Sequence, residues 1–176
     1  MDFVCEAPTG ALYRFDPDGC WTRHDHGFAV ANGPTWSSDG RTLYFNDTVR
    51  GRMLAYDFDP VTGTLSRRRK WLRFGPGDGV PDGMTTDAVG RVWIAHWGGA
   101  CVSCHDPASG AELCRIALPI SHITNCAFGG EDFQMLFITS ACSGLSDERR
   151  TAEPPAGGLF AVRIDSPGLA APRFGG

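Results

Sequence analysis

Apolar residues along this chain come in short runs, each preceded by a glycine-containing turn and none continued at a helical spacing. The runs TLYFND (42–47), RVWIAH (91–96) and MLFITS (135–140) recur at periods of about 43 to 50 residues. An oxygen-bearing side chain stands eleven places before an apolar residue in each copy: Asn32 before Leu43, Asp82 before Trp93, Asn125 before Leu136. A further strand-like segment follows each run, GRMLAYDFDPVTGTL, GACVSCHDPASGAEL and GGLFAVRIDSPG. GALYRFDPDGCWTRH at 10–24 is of that same kind and belongs to an earlier, incomplete copy. Asp18-Gly19 and Asp39-Gly40 are hairpin signals, because both residue types tolerate the positive φ of tight turns. No segment combines a sustained helical period with caps, so almost no helix is expected.

Repeats of this length, each holding several short strands, predict an all-β protein of the β-propeller type. The whole chain, 1–176, reads as one partial propeller domain of about three to four blades. In such a fold the innermost strand of each blade lines a central channel, and the residue opening that strand lies at the channel mouth. Asn32, Asp82 and Asn125 are therefore expected to converge on one point. Three to four blades do not close a ring. Unpaired strand edges are expected near Gly10 and at LFAVRI, and such edges template association with other chains. Self-association follows as an expectation.

Composition narrows the picture. Gly and Pro make up about a fifth of the residues but are dispersed, which suits a turn-rich β protein rather than a disordered one. A net charge of -4 gives no reason to expect nucleic acid. The basic run RRRK (67–70) reads as a solvated strand edge or turn. No apolar stretch reaches the roughly eighteen residues of a membrane span. The opening MDFVCEAPTG has neither the basic nor the apolar region of a signal peptide. Seven cysteines, an odd number, then read as reduced thiols, and the cytoplasm is the expected compartment.

Other motifs carry less. CVSCH (101–105) has the spacing of c-type haem attachment but occupies a strand slot of the repeat. A strand also sends Cys101 and Cys104 to opposite faces, against a zinc site built from them with His105 and Cys114. GPGDGVPDG opens a strand and not a helix, so it is no phosphate loop, and there is no G-x-S-x-G nucleophile elbow. Asn46 and Asp47, ending the YFND run, read as turn formers before channel-facing groups.

Taken together, GALYRFDPDG, ANGPTWSSDGRTLYFND, VPDGMTTDAVGRVWIAHWGGACV, CAFGG, LFITSA and AGGLFAVRIDSPGLAAPRFGG resemble the later two-thirds of the senescence marker protein/gluconolactonase family, which includes regucalcin, sugar lactonases and the luciferin-regenerating enzyme. The resemblance covers essentially the whole chain, in order. It implies a six-bladed propeller with one divalent metal ion in its channel and, in the enzymes, hydrolysis of sugar lactones. The family's metal-ligating Asn and Asp fall on Asn32 and Asp82. Its first-blade Glu ligand has no counterpart here, and about two blades precede the matched region. Glu6 is a candidate for a substrate-contacting Glu, Asn125 for a substrate-facing group, and His96 for contact with a sugar hydroxyl.

Asn amide and Asp carboxylate oxygens suit Ca²⁺ or Mg²⁺ and, with fewer ligands, Zn²⁺ or Mn²⁺. Asp82 is then also the candidate general base. The alternative is that Asn32 and Asp82 only cap turns before their strands. At the level of the whole protein the alternative to a lactonase is a non-catalytic propeller piece that keeps residual metal binding or an interaction role.

Overall fold

The computed structural model describes residues 7–171. Thirteen strands form four antiparallel sheets in chain order. The first sheet pairs β1 (Gly10–Phe15) with β2 (Trp21–Phe28). Two complete four-stranded sheets follow: β3 (Ala31–Trp36), β4 (Thr42–Asp47), β5 (Arg52–Phe58) and β6 (Leu65–Arg73), then β7 (Val80–Thr86), β8 (Val92–Trp97), β9 (Cys101–His105) and β10 (Glu112–Ala117). The last sheet holds β11 (Ile123–Gly129), β12 (Met135–Ser140) and β13 (Leu159–Arg163). Each sheet is an up-and-down blade or part of one, and β3, β7 and β11 pack side by side as successive innermost strands. The chain is a partial β-propeller, as the repeat predicted.

The apolar runs are continuous rather than alternating because each full blade is covered on both faces. Leu43 and Phe45 of β4 pack with Phe28 of the first sheet, whereas Tyr44 turns the other way onto Met84, Val92 and Ile94 of the next blade. Trp93 and Ala95 of β8 point on to Ile123, Cys126, Leu136 and Ile138 of the last one. The core is thus three inter-blade seams. Period-2 alternation survives only where one face is open, as on β12, whose Leu136 and Ile138 are buried while Phe137 is exposed. No helix among the described residues is long and apolar enough to cross a membrane.

Hairpin chemistry follows the expected sites. Gly19 and Gly40 take φ of 84° and 67°, and the Asp18 and Asp39 carboxylates accept the N–H of Cys20 and Arg41. The RRRK run lies on β6, the outermost strand of its blade, where Arg67 and Arg69 pair with Asp57 and Arg68 with Asp25. One helix, α1 (Asp147–Ala152), was not anticipated; Ser146 caps it by accepting from the N–H of Arg149.

Among the described residues β1 pairs on one side only, and Tyr13, Phe15, Trp21 and Leu159 are exposed. The 176-residue chain is therefore expected to elute above its 19.0 kDa monomer mass by size exclusion with light scattering. A cooperatively unfolding monomer contradicts that expectation.

Candidate functional site

Each innermost strand opens with one residue more than its partner spans. On β3, Asn32 and Thr35 face Asn46 and Tyr44, so one residue of Gly33-Pro34 is extra. On β7, Pro81 and Met84 face His96 and Ile94, which makes one residue of Asp82-Gly83 extra. On β11, Ile123 and Asn125 face Ser140 and Thr139, with Thr124 extra. Bulges of this kind bend a strand and re-aim its side chains. Asn32 and Asn125 stand on equivalent rungs, opposite the fifth residues of β4 and β12. The matching rung of the middle blade is Pro81–His96, and Asp82 lies one step inside it. The eleven-place spacing in the sequence thus finds the right end of each strand but not the bulge that offsets Asp82.

Glycine lets the three strands approach at that end. A Cβ on Gly83 would collide with the side chain of Asn125, and one on Gly33 would meet the Met84 methyl. Gly33 also takes φ of 80°, a region a side chain disfavours. Asn125 is in this way brought against the residue next to Asp82.

Hydrogen bonds from the end of β4 fix the mouth of β7. The Thr48 hydroxyl donates to the Pro81 carbonyl at 2.7 Å and accepts from the Asn32 Nδ2 at 3.1 Å. The Asn46 amide donates to the Asp82 carbonyl. Because the Asn32 nitrogen is committed to Thr48, its carbonyl oxygen is the end left for a ligand. Asn125 is the reverse case. Its Oδ1 accepts from the N–H of Cys126 at 2.8 Å, which leaves its NH₂ as the outward group. The first amide thus leaves an acceptor oxygen free, the second a donor NH₂.

Asp82 differs from the other buried acids. Asp47 is fully buried but paired with Arg50 and Arg52, and Asp87 is held by Arg91, with the Trp93 N–H donating to it as well. The Asp82 carboxylate has no hydrogen-bond or ion-pair partner among the described residues. Burial alone raises its pKa from 3.8 to about 6. A half-buried carboxylate without a partner and an amide oxygen left free on the adjoining strand are, as donors, of the kind that suits a hard divalent cation.

Two sequence readings change. Asn46 and Asp47 are not turn formers: both are fully buried, Asn46 grips the next blade and Asp47 holds two arginines. His96 is fully buried with both ring nitrogens engaged, by the Asp78 carbonyl and the Ser103 hydroxyl, and is not presented at the mouth. Glu6 lies outside the described residues. Thr48 was missed because nothing in NDT distinguishes it from an ordinary turn threonine. Replacing it with Val is expected to weaken divalent-metal affinity about tenfold while the fold is kept, in the range of other changes behind a metal ligand; calorimetric titration checks this.

The SMP-30/Gluconolactonase/LRE-like region matches residues 1–142. Regucalcin of Xenopus laevis is 34% identical over 174 residues, 98% of this chain and 58% of that protein. A calcium-binding regucalcin of Agrobacterium tumefaciens superposes with a TM-score of 0.92 at 31% identity, over 98% of this chain and 58% of that one. A gluconolactonase of Xanthomonas campestris does so at 0.63 and 32% identity, over 76% and 42%. The chain spans less than two-thirds of the length of these relatives, but the family match over residues 1–142 and the likeness in sequence and structure agree: it belongs to the SMP-30/gluconolactonase/LRE-like family.

Proposed function

We propose that this chain carries the cation-holding part of a metal-dependent sugar-lactone hydrolase, with Asn32 and Asp82 as its oxygen ligands. The observation that carries the reading is the unpartnered Asp82 carboxylate on β7, the strand packed against β3, whose Asn32 amide is oriented by the same Thr48 that holds Pro81. The gluconolactonase and calcium-binding regucalcin relatives support it. A divalent cation held there, Ca²⁺, Mg²⁺, Mn²⁺ or Zn²⁺, supplies Lewis-acid polarisation of the lactone carbonyl. Asp82, ionised above about pH 6, is the base that takes a proton from the attacking water. The water oxygen bonds to the carbonyl carbon, the ring C–O bond breaks, and the released alkoxide is protonated to give the hydroxy acid. The Asn125 amide donates to a hydroxyl of the sugar.

One observation favours the non-catalytic reading. Among the described residues no three His, Cys, Asp or Glu side chains gather in one place, and the proposed ligands there are one amide and one carboxylate. Acid release from D-glucono-1,5-lactone, with the spontaneous rate subtracted, separates the two. Turnover that needs Ca²⁺, Mn²⁺ or Zn²⁺ and is lost in Asp82→Asn supports the lactonase. No metal-dependent turnover, either by this chain or by a form extended upstream by about two blades, favours the binding fragment.

A further inference from the structure

Behind the mouth of β7 lies a buried polar chain with a proton count that does not balance when its rings are neutral. His96, Ser103 and His105 share one face of the β8–β9 pair and are almost completely buried. The Ser103 Oγ lies 2.6 Å from the Nε2 of His96 and 2.9 Å from the Nε2 of His105. The outer nitrogens face backbone carbonyls: His96 Nδ1 is 2.7 Å from the Asp78 oxygen, and His105 Nδ1 is 3.0 Å from the Gly110 oxygen. A carbonyl only accepts, so both Nδ1 atoms must carry hydrogen. Neutral rings then present two lone pairs to the one hydroxyl, which can donate to only one of them. Each of these four contacts needs a proton. Two neutral imidazoles and a hydroxyl supply three.

We infer that the His96–Ser103–His105 chain holds one proton beyond the neutral complement, shared between the two rings through the serine hydroxyl, and that this buried cation clamps the loop leading into β7. The charged groups facing it balance with that proton. Asp78, on the loop before β7, bonds the Gly75 N–H through one carboxylate oxygen and lies 3.6 Å from Arg115 through the other. Glu112 of β10, the rung partner of His105, pairs with Arg115. Two carboxylates and one guanidinium leave a single negative charge, which the extra proton cancels. The remaining neighbours, Phe74 and Trp71 from the preceding blade, meet the rings edge to face and carry no charge.

Burial opposes the charge on both rings and lowers both pKa values, while the two carbonyl bonds act in the other direction. Neutralising the cluster leaves lone pair against lone pair at hydrogen-bond distance, a penalty that burial also magnifies. The clamp acts on backbone: Gly79 and Gly99 have no room for a Cβ, so the Asp78 loop lies directly on the turn after His96.

Solid-state ¹⁵N spectra of histidine-labelled protein at about pH 7 test this directly and tolerate self-association. Expected is one imidazolium equivalent spread over His96 and His105, with both Nδ1 atoms protonated. Ser103→Ala needs only two protons, and there both rings become neutral with hydrogen on Nδ1. His105→Gln replaces a ring by an amide N–H donor, so His96 becomes neutral with the serine retained. Two neutral rings in the wild-type protein at that pH would overturn the inference, whether or not either variant folds. So would an imidazolium that persists unchanged in a folded variant.

Discussion

Asp82→Asn is expected to stabilise the metal-free chain at neutral pH and to remove its response to divalent cations. The folded pKa of Asp82, about 6, lies above its unfolded value of 3.8. Between these values the native state binds more protons than the unfolded chain, so stability falls as pH rises through the window and stays reduced above it. Two pKa units correspond to about 3 kcal/mol at most. With the group partly open to water, about 1–2 kcal/mol is the expected gain in the asparagine variant. The gain shrinks as pH falls below about 6 and is gone below about pH 3, where the aspartate is protonated in both states.

Cation binding reverses the order of the two proteins. A cation at a hundredfold excess over its Kd stabilises the wild type by about 2.7 kcal/mol. Loss of the carboxylate is expected to cost about a hundredfold or more in affinity, so the variant gains almost nothing. Affinity in the wild type should also fall with acid below about pH 6, as protons compete for Asp82. Denaturant melts in chelator and in Ca²⁺ or Mn²⁺, at pH 7 and pH 4, read all of these terms. An asparagine variant that is less stable than wild type in chelator would show that Asp82 serves the fold and not a ligand.

Gly83→Ala should be the most disruptive small change at the mouth. The added methyl meets not only the Asn125 amide but also its Cβ, which a rotamer change cannot move away. Overpacking of this kind costs about 1–3 kcal/mol. Asn125→Gly removes the obstructing atoms, so the double variant should recover much of what Gly83→Ala loses, a coupling of at least 1 kcal/mol. Urea unfolding of the four proteins measures it. Additive effects would mean that β7 and β11 do not meet where the structure places them.

How much of this was legible beforehand depends on the range of each interaction. The strands were readable because Asp-Gly turns and apolar runs are local signals, and their repetition gave the radial architecture. Asn32, Asp82 and Asn125 stood out because a repeat keeps its strand starts aligned. The one-residue offset of Asp82 was not legible, because a bulge is defined only against its partner strand. His96 misled for a related reason. Its rung places it near the mouth, but what its ring touches depends on Ser103 and on the Asp78 carbonyl. Thr48 and Asn46 act across a blade boundary on Pro81 and Asp82, more than thirty residues away, and no local pattern encodes that reach.

Calorimetric titration of the chain with Ca²⁺, Mn²⁺ and Zn²⁺ at about pH 7, beside Asn32→Ala and Asp82→Asn, tests the central claim most directly. One cation per chain is expected for the wild type, weakened by either substitution and most strongly by the loss of the Asp82 carboxylate. No binding by wild type, or equal binding by all three proteins, would contradict it.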